Sequence, residues 1–204
     1  FPGTEVTGEN NPVLFSAFVT ALKKRLTIGL REQTGWSLAH MANSYARMGE
    51  GELSVECLDM LSRSCVLNNF LTLHNDWRNM GISVESTWSP IQIDANMGWT
   101  SAIQEMLLFT LPGRIKLLPA LPKRWRKGKI GPMLTRDAIE VTLEWNMDEG
   151  TINAEFISRL VGKQVEIILP DKMVVMNSLS NIAIKGHTIY LMEGKPLNIK
   201  YRIE

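Results

Sequence analysis

Cysteine is scarce in this sequence: only Cys57 and Cys65 occur among 204 residues. On one helix, eight positions of separation put them ~12 Å apart. A disulfide needs Cα atoms within ~7 Å, so they read as small buried hydrophobes rather than a bridge. Histidine is scarcer than its role in metal sites requires. His40, His74 and His187 are scattered and no Cys-x-x-Cys occurs, so neither a metal site nor a cofactor is expected. A phosphate loop, a Gly-x-Ser-x-Gly elbow and a dinucleotide fingerprint are all missing. No apolar run reaches ~18 residues, so no membrane span is expected. A secretory leader of basic, apolar and small regions is not seen. The initiating Met is absent too, and the opening Phe-Pro-Gly suggests a processed or truncated product. Compartment therefore stays open: soluble, either cytoplasmic or secreted. Charge of one sign is also lacking, since the formal net charge is +1. The basic stretch KRWRKGK at 123–129 is short and isolated, so it reads as a solvated linker and no nucleic-acid partner is expected.

What is present divides near residue 112. Residues 1–112 read as helices. Asn11-Pro12 supplies an N-cap and a first-turn proline. Phe15, Phe18, Leu22 and Leu26 then recur at helical spacing and predict a buried face. A second helix is predicted from Gly35 to Met48, ended by Gly49. Its apolar residues go nearly all the way round, so protein is expected on every side of it. A third is predicted over Glu52–Leu67 and a fourth over Met97–Thr110, closed by Leu111-Pro112-Gly113. Three amphipathic partners are too few to enclose the second helix. This half therefore reads as part of a larger all-α assembly.

Residues 113–204 read as a linker followed by strands. Ile139, Val141, Leu143 and Trp145 alternate with polar residues, the period of a half-buried antiparallel strand. Similar runs occupy 151–157, 164–169, 187–192 and 197–203, with turn signals between them, and suggest a β-sandwich. The prolines of IKLLPALPKRW, 115–125, predict an extended, stiff connection.

Asp94, in PIQIDANMGWTSAIQEMLL (90–108), is the leading candidate for chemistry. A cap would explain one polar residue before the fourth helix, and Asn96 lies closer to the helix start. Asp94 is left among Ile91, Ile93 and Met97, and a carboxylate in apolar surroundings needs a partner or a function. Gln92 and Asn96 are the polar neighbours of such a site. LHNDWRNMG (73–81) offers His74, Asp76 and Arg78 around Trp77, either a sugar subsite or a surface loop with an Asp–Arg pair. Glu85 and Trp88 could line the same pocket or tie down its loop. His40, on the enclosed helix, reads as a core histidine, and His187 as a solvated one.

Four blocks, in order, resemble glycoside hydrolase family 95, the inverting α-L-fucosidases: FPG (1–3), TGWSLAHMANSYARMGEGE (34–52), PIQIDANMGWTSAIQEMLL (90–108) and IKLLPALPKRWRKGKIGP (115–132). The resemblance implies an α+β multidomain chain: the C-terminal helices of an (α/α)6 barrel over 1–112, then an antiparallel β-sandwich. It implies that upstream barrel helices are missing and that the substrate is a fucosylated oligosaccharide or glycan, with a terminal, α-1,2 bond cleaved. Asp94 matches the family's QID aspartate, a general base. Gln92, Asn96, Trp88 and His74 would face the sugar. The family's glutamic general acid has no counterpart here, so the isolated chain is expected to be inactive. Glu105 reads as a solvent or inter-helix residue. Ala95 and Met97 stand where the family often has Gly and Phe. Thr87-Trp88-Ser89-Pro90 replaces a common Ala-His-Pro, which leaves α-L-galactosides open as substrates. The alternative is a non-catalytic carbohydrate-binding or structural module.

Overall fold

The computed structural model describes residues 3–84, 88–160, 162–170, 173–178 and 188–203, with the side chains of Leu26, Asn177 and Ser178 excepted. Phe1, Pro2, Glu85, Thr87 and His187, which figure in the sequence reading, lie outside the described residues. The chain divides into two compact units. One comprises Phe1–Leu107 with Ala120–Pro122, the other Leu108–Pro119 with Lys123–Glu204.

The first unit is helical. Helix α1 spans Pro12–Thr27, and the Asn11 side chain caps it by accepting the Leu14 N–H at 3.1 Å. Its predicted apolar face is largely open: Leu22 is buried, Phe15 is half-buried, and Phe18 is 59% exposed. The spacing was helical, but α1 touches the other described elements sparsely, as where Arg25 donates to the Ser37 hydroxyl of α2 at 3.3 Å, so periodicity did not translate into burial.

Helix α2, Gly35–Arg47, is buried over most of its circumference, while Trp36, His40, Ser44 and Arg47 form a half-buried stripe along the remainder. Leu38, Ala39, Met41 and Ala42 are wholly shielded from solvent. Helices α3 (Gly51–Ser64) and α4 (Ile93–Leu107) are the elements packed against it. The approach of α4 is close enough to require glycine: a Cβ on Gly98 would sit 2.8 Å from the Ala39 Cβ and 3.0 Å from the Trp36 ring. Asn43 uses this proximity. Its amide donates to Ala39 O within α2 and to Gly98 O across the interface, both at 2.8 Å. Further along the same pair of helices, Arg47 grips Glu105 with two contacts of 3.1 Å. Of the two readings open for Glu105, solvent or inter-helix, the structure selects the inter-helix one.

Two helices differ from the sequence expectation at their ends. Helix α3 stops at Ser64 rather than near Leu67, because Val66 bridges to Thr72 and draws the chain out of helix. The Arg78 guanidinium donates to the last-turn carbonyls of Ser62 and Arg63 at 3.2 and 2.8 Å, a favourable place for a cation. Helix α4 starts at Ile93, four residues earlier than expected, and Leu108–Leu111 leaves it as strand β1. An apolar run such as Leu-Leu-Phe-Thr-Leu suits either state. Pairing with β2, Arg114–Leu117, decides it.

The second unit holds two sheets. One has the order β1-β2-β6-β8, the other β3-β4-β5-β9-β7. Their remaining strands are β3 (Lys127–Leu134), β4 (Ile139–Asn146), β5 (Thr151–Ser158), β6 (Lys163–Ile168), β7 (Met173–Ser178), β8 (Thr188–Leu191) and β9 (Pro196–Ile203). Among the described strand pairs, β2–β6 is parallel and the others are antiparallel, and an isolated parallel bridge joins Ser158 to Glu193. Strict alternation buries Ile139, Val141, Leu143 and Trp145 on β4, with Ile152, Ala154 and Phe156 beside them on β5. Strands β3 and β7 are the edges of their sheet and were not legible as strands. Edge strands tolerate lysine and proline, and Lys127, Lys129 and Pro132 made β3 look like linker. The basic stretch is therefore partly strand, and Arg126 and Lys127 pair with Asp148.

The α2–α4 contact gives a direct test. Replacing Gly98 by Ala is expected to cost about 1–3 kcal/mol through overpacking, read as a lowered urea midpoint with an unchanged slope.

Candidate active site

Asp94 sits on a turn whose other polar groups face the protein. Residues 72–74 and 90–92 are zipped together. His74 N–H donates to Pro90 O at 2.9 Å, Gln92 N–H donates to Thr72 O at 2.8 Å, and Leu73 bridges Ile91. The start of α2 docks on this ladder. Gly35 N–H donates to His74 O at 2.8 Å, and a Cβ at Gly35 would meet Leu73 O at 2.4 Å. Gln92 Oε1 accepts the Trp36 N–H at 2.6 Å, satisfying one of the orphan donors of that helix end.

Asn96 anchors the other side. Its Oδ1 meets the Thr72 N–H at 2.9 Å and the Thr72 hydroxyl at 2.8 Å, and its Nδ2 donates to Phe70 O at 2.7 Å. It caps nothing in α4, because it already lies inside the helix. Ala95 is fully buried. Asp94 is left exposed in the first turn of α4, where the helix dipole favours negative charge. Its Oδ1 takes the adjacent Ala95 N–H at 2.9 Å, its only hydrogen bond among the described residues. The apolar flanks are exposed as well: Ile91 62%, Ile93 53% and Met97 65%. The expectation of a carboxylate in a closed apolar setting is thus replaced by one standing on an open apolar surface. Trp88 is exposed and His74 half-buried.

The loop of 73–81 is organised from within. Asp76 is fully buried and accepts three backbone N–H groups, from Arg78 (3.1 Å), Met80 (2.8 Å) and Ile82 (3.2 Å). Neither the sugar subsite nor the surface Asp–Arg pair anticipated it. Arg78 turns to α3 and stacks on Trp77, its guanidinium carbon 4.7 Å from a ring centroid. Thr72 was missed by sequence reading. Nothing in its neighbourhood signals that it would be the hub tying Gln92 and Asn96 together.

His40 is half-buried, 5.9 Å from the Trp36 ring between centroids. It borders a hollow of about 770 Å³ lined also by Phe15, Leu22, Ser44 and Met48. Burial, helped by the charge of Arg25, pushes its pKa below the ordinary 6.5. Cys57 and Cys65 are both free and buried. Burial pushes the Cys57 thiol up to about 12 and raises that of Cys65, so both are poor nucleophiles. Among the described residues, no helix is long and apolar enough to cross a membrane.

Residues 1–107 match the glycosyl hydrolase family 95 catalytic domain, and residues 111–195 match the glycoside hydrolase family 95 C-terminal domain. The chain belongs to glycoside hydrolase family 95. It is 32% identical over 146 residues to alpha-L-fucosidase 2 of Arabidopsis thaliana, a match covering 71% of the chain and 16% of that protein. It is 25% identical over 167 residues to the probable alpha-fucosidase A of Aspergillus oryzae, covering 75% of the chain and 22% of that protein. The matched region therefore spans only about a fifth of these relatives or less.

The anchored and free groups should separate on mutation. Asn96→Ala is expected to cost about 1–3 kcal/mol, because Thr72 and Phe70 lose their partner. Asp94→Asn is expected to cost below about 1 kcal/mol, only its dipole interaction being lost. Chemical denaturation of the two variants checks this. A second prediction concerns acid. The folded state disfavours protonated His40, so the unfolded chain takes up that proton first as pH falls below 6.5. The stability present in full above that pH is lost as pH drops toward the lower folded value. His40→Gln is expected to flatten the change in urea midpoint between about pH 7.5 and about pH 5.5.

Proposed function

We propose that this chain is the C-terminal part of a glycoside hydrolase that removes terminal α-L-fucosyl residues, α-1,2-linked ones first, with inversion. Residues 1–112 would contribute helices to an (α/α)6 barrel, and 113–204 would form a linker and a C-terminal β-sandwich. The fucosidase names of the relatives support the substrate class.

Asp94 is the proposed general base. The observation that carries this role is its exposure at the start of α4 while Gln92 and Asn96 on either side are anchored to backbone. A base must reach solvent and keep its aim. In the proposed reaction a water attacks the anomeric carbon and gives its proton to Asp94. The glycosidic C–O bond breaks as an acid protonates the leaving oxygen, and the sugar is released inverted. Base and acid stand ~6.5–9.5 Å apart in such enzymes, leaving room for the water. Gln92 and Asn96 hold the turn, and Trp88 and His74 belong to the sugar-facing side. The acid is assigned outside this chain: Glu105 is committed to Arg47, and no segment matches the family's acid motif. The isolated chain is therefore proposed to be inactive.

The test is Asp94→Asn in the complete enzyme with 2′-fucosyllactose. A fall in kcat of about 10²- to 10⁴-fold with little change in KM is expected of a lost base. Unchanged kcat would remove Asp94 from the mechanism. Comparing α-L-fucoside with α-L-galactoside in the same assay decides the sugar, which the Trp88-Ser89-Pro90 departure leaves open.

A further inference from the structure

The five-stranded sheet carries a second feature, unrelated to Asp94. Alternation along β4, β5 and β9 turns Leu143, Ala154 and Ile199 inward and leaves Thr142, Glu144, Asn153, Glu155, Asn198 and Lys200 on the outward face. The register sets them in two rows. Lys129, Glu144, Asn153 and Lys200 lie opposite one another across β3, β4, β5 and β9. Thr142, Glu155 and Asn198 form the next row. Both outermost strands are bulged, β3 between Ile130 and Met133 and β7 between Val175 and Asn177. Bulges bend a strand and raise its twist. Over β3, β4, β5 and β9 this face forms an open hollow of about 440 Å³, lined by these side chains together with Ala154 and Ile199. Small-molecule sites commonly span ~300–1,000 Å³.

An exposed antiparallel face is ordinarily a solvated surface, and directly opposed charges on it tend to pair. Here they do not. Among the described residues, none of these seven side chains makes a hydrogen bond or ion pair, although Lys129 and Glu144 are direct cross-strand neighbours. Their polar atoms remain available to a ligand. We propose that this hollow binds an uncharged oligosaccharide. Two lysines and two glutamates cancel, so the face offers no field for a polyanion, whose binding rests on net positive charge. Ammonium groups donate, carboxylates accept, and the amides and hydroxyl do both. That mixture matches sugar hydroxyls, each of which donates and accepts. The site would hold a glycan independently of the proposed catalytic carboxylate.

The experiment is a titration of the ¹⁵N-labelled 204-residue chain with cellohexaose, xylohexaose, maltohexaose and 2′-fucosyllactose, and with a heparin fragment as the charged counterpart. At least one uncharged probe is expected to shift the side-chain amides of Asn153 and Asn198 together, with little effect of salt. The double variant Asn153→Ala, Asn198→Ala is expected to weaken that binding roughly tenfold or more, as the loss of two hydrogen bonds implies. Because both residues are exposed, its thermal unfolding should be unchanged. Asp94→Asn should keep the binding, which separates this site from the catalytic proposal. No shift on this face with any uncharged probe would overturn the inference. So would shifts confined to the Asp94 turn, or binding of the heparin fragment alone with steep loss in salt.

Discussion

The contact between α2 and α4 at Gly98 is the constraint on which the helical unit depends. A hydrogen atom at that position lets the two backbones come close enough for Asn43 to bridge them. Below it, Gln92 Oε1 holds the first turn of α2. Beyond it, Arg47 and Glu105 close the far end with two charge-assisted hydrogen bonds. Helix α4 is thereby fixed to α2 along its length, from the turn that leads into it to its last turns. The direction of Asp94 follows from that placement.

The chemistry proposed for Asp94 rests on a division of labour within five residues. Gln92, Ala95 and Asn96 are committed inward, by hydrogen bonds or by burial. Asp94 is not. A helix start normally spends its acidic side chain on local donors, and here one adjacent N–H takes one oxygen of the carboxylate. The rest faces outward on a rigid support. Stiff surroundings with one exposed ionisable group are the arrangement proton transfer from a water requires.

The sheet unit shows the same separation of roles at lower density. Each strand of the five-stranded sheet puts its apolar set on one side and its polar set on the other, and a one-residue slip would exchange them. The long matched ladders of β4, β5 and β9 hold that register. Among the described residues the bulges fall at the two edges, where lost pairing costs least.

Much of this was legible from residues alone. The largely buried helix α2, the capped start of α1 and the alternation in β4 each follow from local rules of period and capping. The family blocks were legible as well, since they are contiguous runs. What escaped sequence reading was set by partners distant along the chain. Residues 108–111 became strand because β2 pairs with them, and β3 and β7 became strands because a sheet edge accepts sequences that look like linker. Phe18 stayed exposed because no described element covers it. Asp76 proved an internal anchor because the loop folds three N–H groups around it. Thr72 became a hub because residues 92 and 96 return to it. Period and capping are properties of neighbouring residues, and the sequence carries them. Which exposed groups are left free for a ligand depends on what every other polar group has already bonded, and only the tertiary structure decides that.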